Sequence, residues 1–250
     1  MRIYEVQFYI DGPIKFNNNL NFRTTKELDI GRVFDSEIQV RTTPRGNLIY
    51  TTVLTDDIDR AEKVAALFVG KMLDILCVIT NCRLEISLFE NRNISYNIRT
   101  IVNINEIRRS FELARELNLN PEKNKMLRAY SWYRKGLNSE NTLDKFLAFW
   151  NSISVISDAF CEENERTRSG IINRIWDCFI QVWGQSSNWP YVNGNENWVN
   201  EHNAIRNQIA HGGVTVDIEY VNNILDKITI LEKVNYKFLQ DFSEKLHIRV

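Results

Sequence analysis

Between Arg2 and Ile10 the chain alternates, with Tyr4, Val6, Phe8 and Ile10 facing one way and Ile3, Glu5, Gln7 and Tyr9 the other. A period of two marks a half-buried strand, and the first set is its apolar face. Asp11-Gly12-Pro13 ends it as a turn. Asn47 to Thr55, Arg83 to Glu90 and Tyr96 to Ile104 read as further strands, the last rich in β-branched residues. A helix between them begins near Asp56. Its stripe is Ile58, Ala61, Ala65, Phe68, Met72, Ile75 and Ile79, widened by Val64, Leu67 and Leu76, as in a helix packed across a sheet. Asp56, Asp57 and Asp59 sit where acids favour a helix N-terminus, a plainer reading than metal binding.

From Asn105 onward no alternation survives. The helix Asn105 to Leu119 reads as a connector or as part of either neighbour. Asn118-Leu119-Asn120-Pro121 is the expected boundary, with Pro121 suited to a first helical turn. Met126, Tyr130 and Tyr133 line one helix that ends near Gly136. Ser139 is a plausible cap for the next, whose stripe is Leu143, Phe146, Leu147, Trp150, Ile153, Ser157 and Phe160. Ile172, Ile175, Trp176, Phe179 and Trp183 mark a third, after a charged loop or helix end from Cys161 to Arg168. A turn-rich stretch from Gly184 to Asn195 precedes a helix from Asn197 to His211. Gly212-Gly213 closes it, and a terminal helix follows from about Asp217, with Ile218, Val221, Leu225, Ile228, Leu231, Phe238 and Phe242 as its stripe. The fold class is therefore α+β: a mixed α/β domain over 1–120, regulatory or recognising in role, then an all-α bundle over 121–250.

Charge narrows the functional classes. With 31 basic and 32 acidic residues the net charge is −1, which excludes a globally basic RNA-coating protein but not a local basic site. The opening residues lack an apolar run with a small-residue cleavage site, and Val64 to Thr80 is short and carries Lys71 and Asp74. A cytoplasmic chain without a membrane role is expected. Cys77, Cys82, Cys161 and Cys178 form no CxxC pair and read as reduced thiols rather than a zinc site or disulfide frame.

Only Glu201 to Gly213 gathers reactive side chains in the second half, including two of the three histidines. Arg206 would neutralise a phosphoryl oxygen in fork geometry. His211 would shuttle a proton, as the residue type that changes charge near neutral pH. Asn207 would orient the phosphate or the histidine. RNA supplies its own 2′-hydroxyl nucleophile, so no metal or cofactor is called for, and Glu201 is the segment's sole carboxylate. On an unbroken helix Arg206 and His211 lie about 140° apart. Gly212-Gly213 would let His211 sit on a frayed last turn and swing toward Arg206. The plainer alternative makes His211 a C-terminal cap and Arg206 an ion-pair partner. His202, Trp198 and Asn203 are candidates for substrate binding, although His202 reads equally as a solvated neighbour. Trp150, Trp176 and Trp183 read as core, and Trp189 as a second stacking candidate.

The run Arg206-Asn207-Gln208-Ile209-Ala210-His211-Gly212 resembles the signature of the HEPN superfamily, the higher eukaryotes and prokaryotes nucleotide-binding domain. Ala129 to Leu137 and Phe146 to Asn151 are similar to the helix pair of its Apea-like branch. The resemblance covers roughly Pro121 to Val250. It implies a helical bundle that forms a homodimer with two motifs in one cleft, acting as a metal-independent RNA endonuclease of a toxin–antitoxin, antiviral-defence or RNA-processing system. An antitoxin or regulatory protein is the implied partner. Arg206 and His211 match the signature pair and Asn207 its polar position. Trp150-Asn151-Ser152-Ile153-Ser154 has no acidic residue where the branch carries one. A catalytically inactive module that binds RNA, a nucleotide or a protein therefore stands as the alternative.

Overall fold

The fold is that of a computed structural model, which describes residues 2–27, 33–43, 46–87, 98–211 and 218–249. It divides into two compact units, Met1–Asn120 and Pro121–Val250. A five-stranded antiparallel sheet in the first and helices throughout the second make the class α+β.

The first unit contains β1 (Arg2–Asp11), β2 (Ile14–Phe16), β3 (Leu20–Glu27), β4 (Val33–Thr43), β5 (Gly46–Thr55), α1 (Ile58–Thr80), β6 (Glu85–Ser87), β7 (Thr100–Val102) and α2 (Ile104–Leu119). The main sheet runs in the order β3-β4-β5-β1-β6, while β2 and β7 pair in parallel. Phe8 and Ile10 are buried on the inward face of β1, as the alternation requires. Strands β3 and β4 are additions that the sequence pattern did not mark. An inward position of β4 is held by Ser36, whose hydroxyl lies 3.1 Å from Thr51 Oγ1 and donates to the Thr52 carbonyl at 2.7 Å. A hydrogen-bonded serine facing inward erases the apolar alternation while costing the core little.

Helix α1 is capped by Asp57, whose carboxylate accepts from the Asp59 N–H at 3.1 Å. It packs on α2, β5 and β1, and Ala61, Ala65, Val69, Met72 and Leu76 are among its buried residues. Leu67, expected to widen that stripe, is instead exposed. Asn103 and Glu106 form a reciprocal capping box that starts α2 within the expected last strand. Of the expected strands Arg83 to Glu90 and Tyr96 to Ile104, Leu88 to Glu90 and Tyr96-Asn97 lie outside the described residues.

The second unit comprises α3 (Asn124–Asn138), α4 (Thr142–Phe160), α5 (Ile171–Trp183), α6 (Trp198–His211) and α7 (Ile218–Lys245), with short 3-10 turns at Thr167–Ser169 and Ser186–Asn188. Pro121 lies in a turn before α3 rather than in its first helical turn, in keeping with a ring that presets a turn dihedral. Ser139 ends α3. The cap of α4 is Asn141, whose side-chain oxygen accepts from the N–H groups of Leu143 and Asp144 at 2.9 and 3.1 Å. Among the described residues all strands precede α2.

Tyr130, Tyr133, Phe146, Phe149, Trp150, Phe179, Phe238 and Phe242 form the core of this unit. Each side chain of that size adds about 1.5–3 kcal/mol on burial. Buried polar ties fix the register of α3, α4 and α7. Tyr130 Oη lies 2.7 Å from Ser243 Oγ, Ser152 Oγ donates to the Ala129 carbonyl, and Asn235 Nδ2 donates to the Phe149 carbonyl. Gly136 lets α3 approach closely, since a Cβ there would stand 2.5 Å from the Phe149 ring. Along α7 the buried set begins with Ile224 and Ile228, whereas Leu225 points outward. Cys77, Cys82 and Cys178 are buried and Cys161 half-buried, all four as free thiols. No helix among the described residues is long and apolar enough to cross a membrane.

Candidate functional site

Helix α6 follows the turns around Asn195, whose side-chain oxygen accepts from the Asn197 N–H at 2.9 Å. Its first turns are sequestered. Trp198 and His202 are 4% and 3% exposed, and their rings stack with centroids 4.0 Å apart. His202 also stacks against Phe146 and Trp150. Its Nδ1–H donates to the Trp198 carbonyl at 2.7 Å, which leaves Nε2 as the bare nitrogen. That nitrogen is buried without a hydrogen-bond partner among the described residues, as is the indole nitrogen of Trp198. Burial lowers the His202 pKa from 6.5 to about 4, since an imidazolium here would lose its hydration.

The solvated-neighbour reading of His202 is therefore corrected. An aromatic stack, invisible in the local sequence, removes it from water. Neither His202 nor Trp198 lines the cleft described below, and Trp189 is likewise buried, its Nε1 donating to the Gly184 carbonyl. These rings hold α6 against α4 and α5.

Beyond the stack, α6 turns a polar face outward. Asn200, Asn203, Arg206 and Asn207 line a cleft of about 860 Å³. Steps of three and four residues place them on one side of the helix. Arg206 Nη1 donates to Asn207 Oδ1 at 3.0 Å, so the cation and the amide act as one unit. The opposing walls come from α3 through Arg128 and Trp132, and from α4 through Trp150, Asn151, Ser154 and Asp158. The start of α5 completes the lining with Gly170 to Asn173. Lys135 Nζ sits 4.9 Å from the centre of the Trp132 ring, adding positive charge close to that wall.

His211 is the last residue of α6 and is exposed. It remains helical rather than frayed, and it is not among the residues lining the cleft. Four residues separate it from Asn207, so it lies on nearly the same face, about 40° away. Gly212, Gly213 and the rest of the connection to α7 fall outside the described residues. Tyr220 of α7 donates to Gln208 Oε1 at 3.4 Å and steadies the end of α6.

The structure thus brings Asn203, Arg206 and Asn207 together at one cleft, sets His211 one turn farther along, and withdraws His202 and Trp198 into the core. Arg128, Trp132, Asn151 and Asp158 complete the lining and were not singled out by sequence. A signal existed for the α4 pair. Asn151, Ser154 and Asp158 recur at steps of three and four, a polar stripe on an otherwise apolar helix. Asp158 is an acidic group on α4 at the cleft, about one turn beyond the stretch that lacks one. It is ion-paired with Arg174, which neutralises it. No group of three or more His, Cys, Asp or Glu side chains able to hold a metal occurs among the described residues.

No protein-family model, curated protein or solved structure matches this chain.

Proposed function

We propose that the second unit is an RNA endonuclease of HEPN type that works without a metal, as a homodimer, and under the control of an antitoxin or other regulatory protein. The observation that carries this reading is the pairing of Arg206 with Asn207 on the wall of a polar cleft large enough for a nucleotide. A guanidinium fixed by its neighbour presents a fork of donors where charge develops on a phosphoryl oxygen. His211 follows on the Asn207 side of the helix and serves as the proton carrier. A homodimer would bring a second copy of the motif to the same phosphate and double the donors around it. The 2′-hydroxyl of the substrate gives up its proton and attacks phosphorus, the bond from phosphorus to the 5′-oxygen breaks, and the products are a 2′,3′-cyclic phosphate and a 5′-hydroxyl that takes the proton. The single carboxylate of the cleft, Asp158, is engaged by Arg174, so the lining favours this route over a two-metal one.

The alternative is a non-enzymatic module that binds RNA, a nucleotide or a protein through the same cleft. It is favoured by the position of His211 beyond the lining residues. One experiment separates the two. Purified protein is incubated with RNA in EDTA, beside Arg206→Ala and His211→Ala. The nuclease reading expects cleavage by the wild type and a loss of about 100-fold or more in each variant. It also expects no cleavage where the scissile nucleotide is 2′-deoxy. Cleavage that both variants retain removes the assignment of the site, and binding without cleavage by the wild type leaves the module.

A further inference from the structure

A helix leaves the N–H groups of its first turn without internal acceptors. In α1, α2 and α4 a side chain accepts from some of them, from Asp57, Asn103 and Asn141. Helices α3 and α5 have no side-chain cap, and the N-cap of α5 is Gly170, which has no side chain to offer. The first internal bond runs from Arg174 N–H to the Gly170 carbonyl at 3.3 Å. The N–H groups of Ile171, Ile172 and Asn173 have no acceptor among the described residues. All three residues and Gly170 line the cleft that contains Arg206. Gly170 has φ +130°, a conformation that favours glycine, and no atom lies within 4 Å of where its Cβ would be. The approach to these amides is open.

A second observation comes from α6. Asn203 is only 9% exposed, lines the same cleft, and its carboxamide has no hydrogen-bond partner among the described residues. The residue is buried as a whole, but its carboxamide atoms are not among the buried polar atoms left without a partner and so reach the solvent of the cleft. The charges agree in sign. Arg128 and Arg206 are the cations of the lining, and its carboxylate, Asp158, is held by Arg174.

We propose that the first turn of α5 is the phosphate-binding wall of the cleft, receiving a phosphodiester of the RNA between its free N–H groups, the Asn203 amide and Arg206. The proposal rests on reading the cleft as the RNA site and says which wall takes the phosphate. Helix N-termini suit this because donors and the positive end of the dipole point the same way. In this arrangement Asn203 donates through Nδ2 to a non-bridging oxygen and fixes the phosphate ahead of any chemistry. Trp132, on the α3 wall, then offers its ring to an adjoining base.

The test measures binding without cleavage. Inorganic phosphate and a 2′-deoxy tetranucleotide are titrated into the full chain by calorimetry, with the melting temperature recorded for each variant. Asn173→Asp places a carboxylate in the first turn of α5, where it suits the helix dipole, and removes the bond that Asn173 Nδ2 donates to Ser169 Oγ at 2.7 Å. The expected result is a fall in affinity for both probes of about tenfold or more, with a single cooperative melting transition retained. Asn203→Ala should weaken both by about tenfold. Unchanged affinity in Asn173→Asp, or no binding of either probe to the wild type, overturns the proposal. Binding that Asn173→Asp abolishes, with no RNA cleavage by the wild type, keeps the wall and removes the nuclease. Cleavage that needs Arg206, with affinity indifferent to residue 173, does the reverse.

Discussion

Helix α6 contains two histidines whose surroundings differ as much as its two ends do. At its start Trp198 and His202 lie within rings from α4, and His202 is held neutral by burial. At its end Arg206, Asn207 and His211 are half-buried or exposed, with the first two on the cleft. The 14 residues of one helix thus pass from packing to a surface able to meet a ligand. The lesson is that a histidine beside an arginine in sequence is not thereby beside it in chemistry. One helical turn separates His202 from Arg206, yet the buried stack turns its free nitrogen away from water.

Two substitutions at the start of α6 sharpen this contrast. The larger effect belongs to Trp198→Ala, which removes a ring in contact with Trp150, Phe179 and His202. A loss of about 3–5 kcal/mol is expected in chemical denaturation. A loss below about 1 kcal/mol would show that the stack is not what holds α6.

Next is an acid sensitivity owed to His202. Its pKa falls from 6.5 to about 4 on folding, so the unfolded chain takes up the proton first. The stability tied to the neutral ring is complete above pH 6.5, declines as the pH drops through that value, and is gone near pH 4. A shift of this size corresponds to about 3 kcal/mol. His202→Phe keeps a ring in the stack and removes the titration. Between pH 7 and pH 4 the wild type should therefore lose about 3 kcal/mol more than the variant. Parallel pH profiles for the two proteins would contradict the buried, neutral assignment.

The α+β organisation is legible in the sequence because its main signals are local. Alternation at Tyr4 to Ile10 and helical spacing through α3 to α7 need no knowledge of distant residues. Strand β4 was hidden by Ser36, whose hydrogen bonds to Thr51 and Thr52 come from another strand. Leu67 and Leu225 misled in the opposite way, since a stripe two residues too wide looks the same in sequence as one that fits. The candidate site divides likewise. Asn203, Arg206 and Asn207 sit within five residues and could be read together. Trp132 and the first turn of α5 reach the cleft only through the packing of four helices, which no local spacing records.

The central claim is that ligand chemistry belongs to the end of α6 and packing to its beginning. Its most direct test is one assay on two variants, Arg206→Ala and His202→Phe, each read for RNA cleavage in EDTA at neutral pH and for melting temperature. The account predicts that Arg206→Ala loses about 100-fold in cleavage at an unchanged melting temperature. His202→Phe should melt at a different temperature yet cleave within a few-fold of the wild type while folded. Full cleavage by Arg206→Ala, or a loss of about 100-fold in folded His202→Phe, would contradict it.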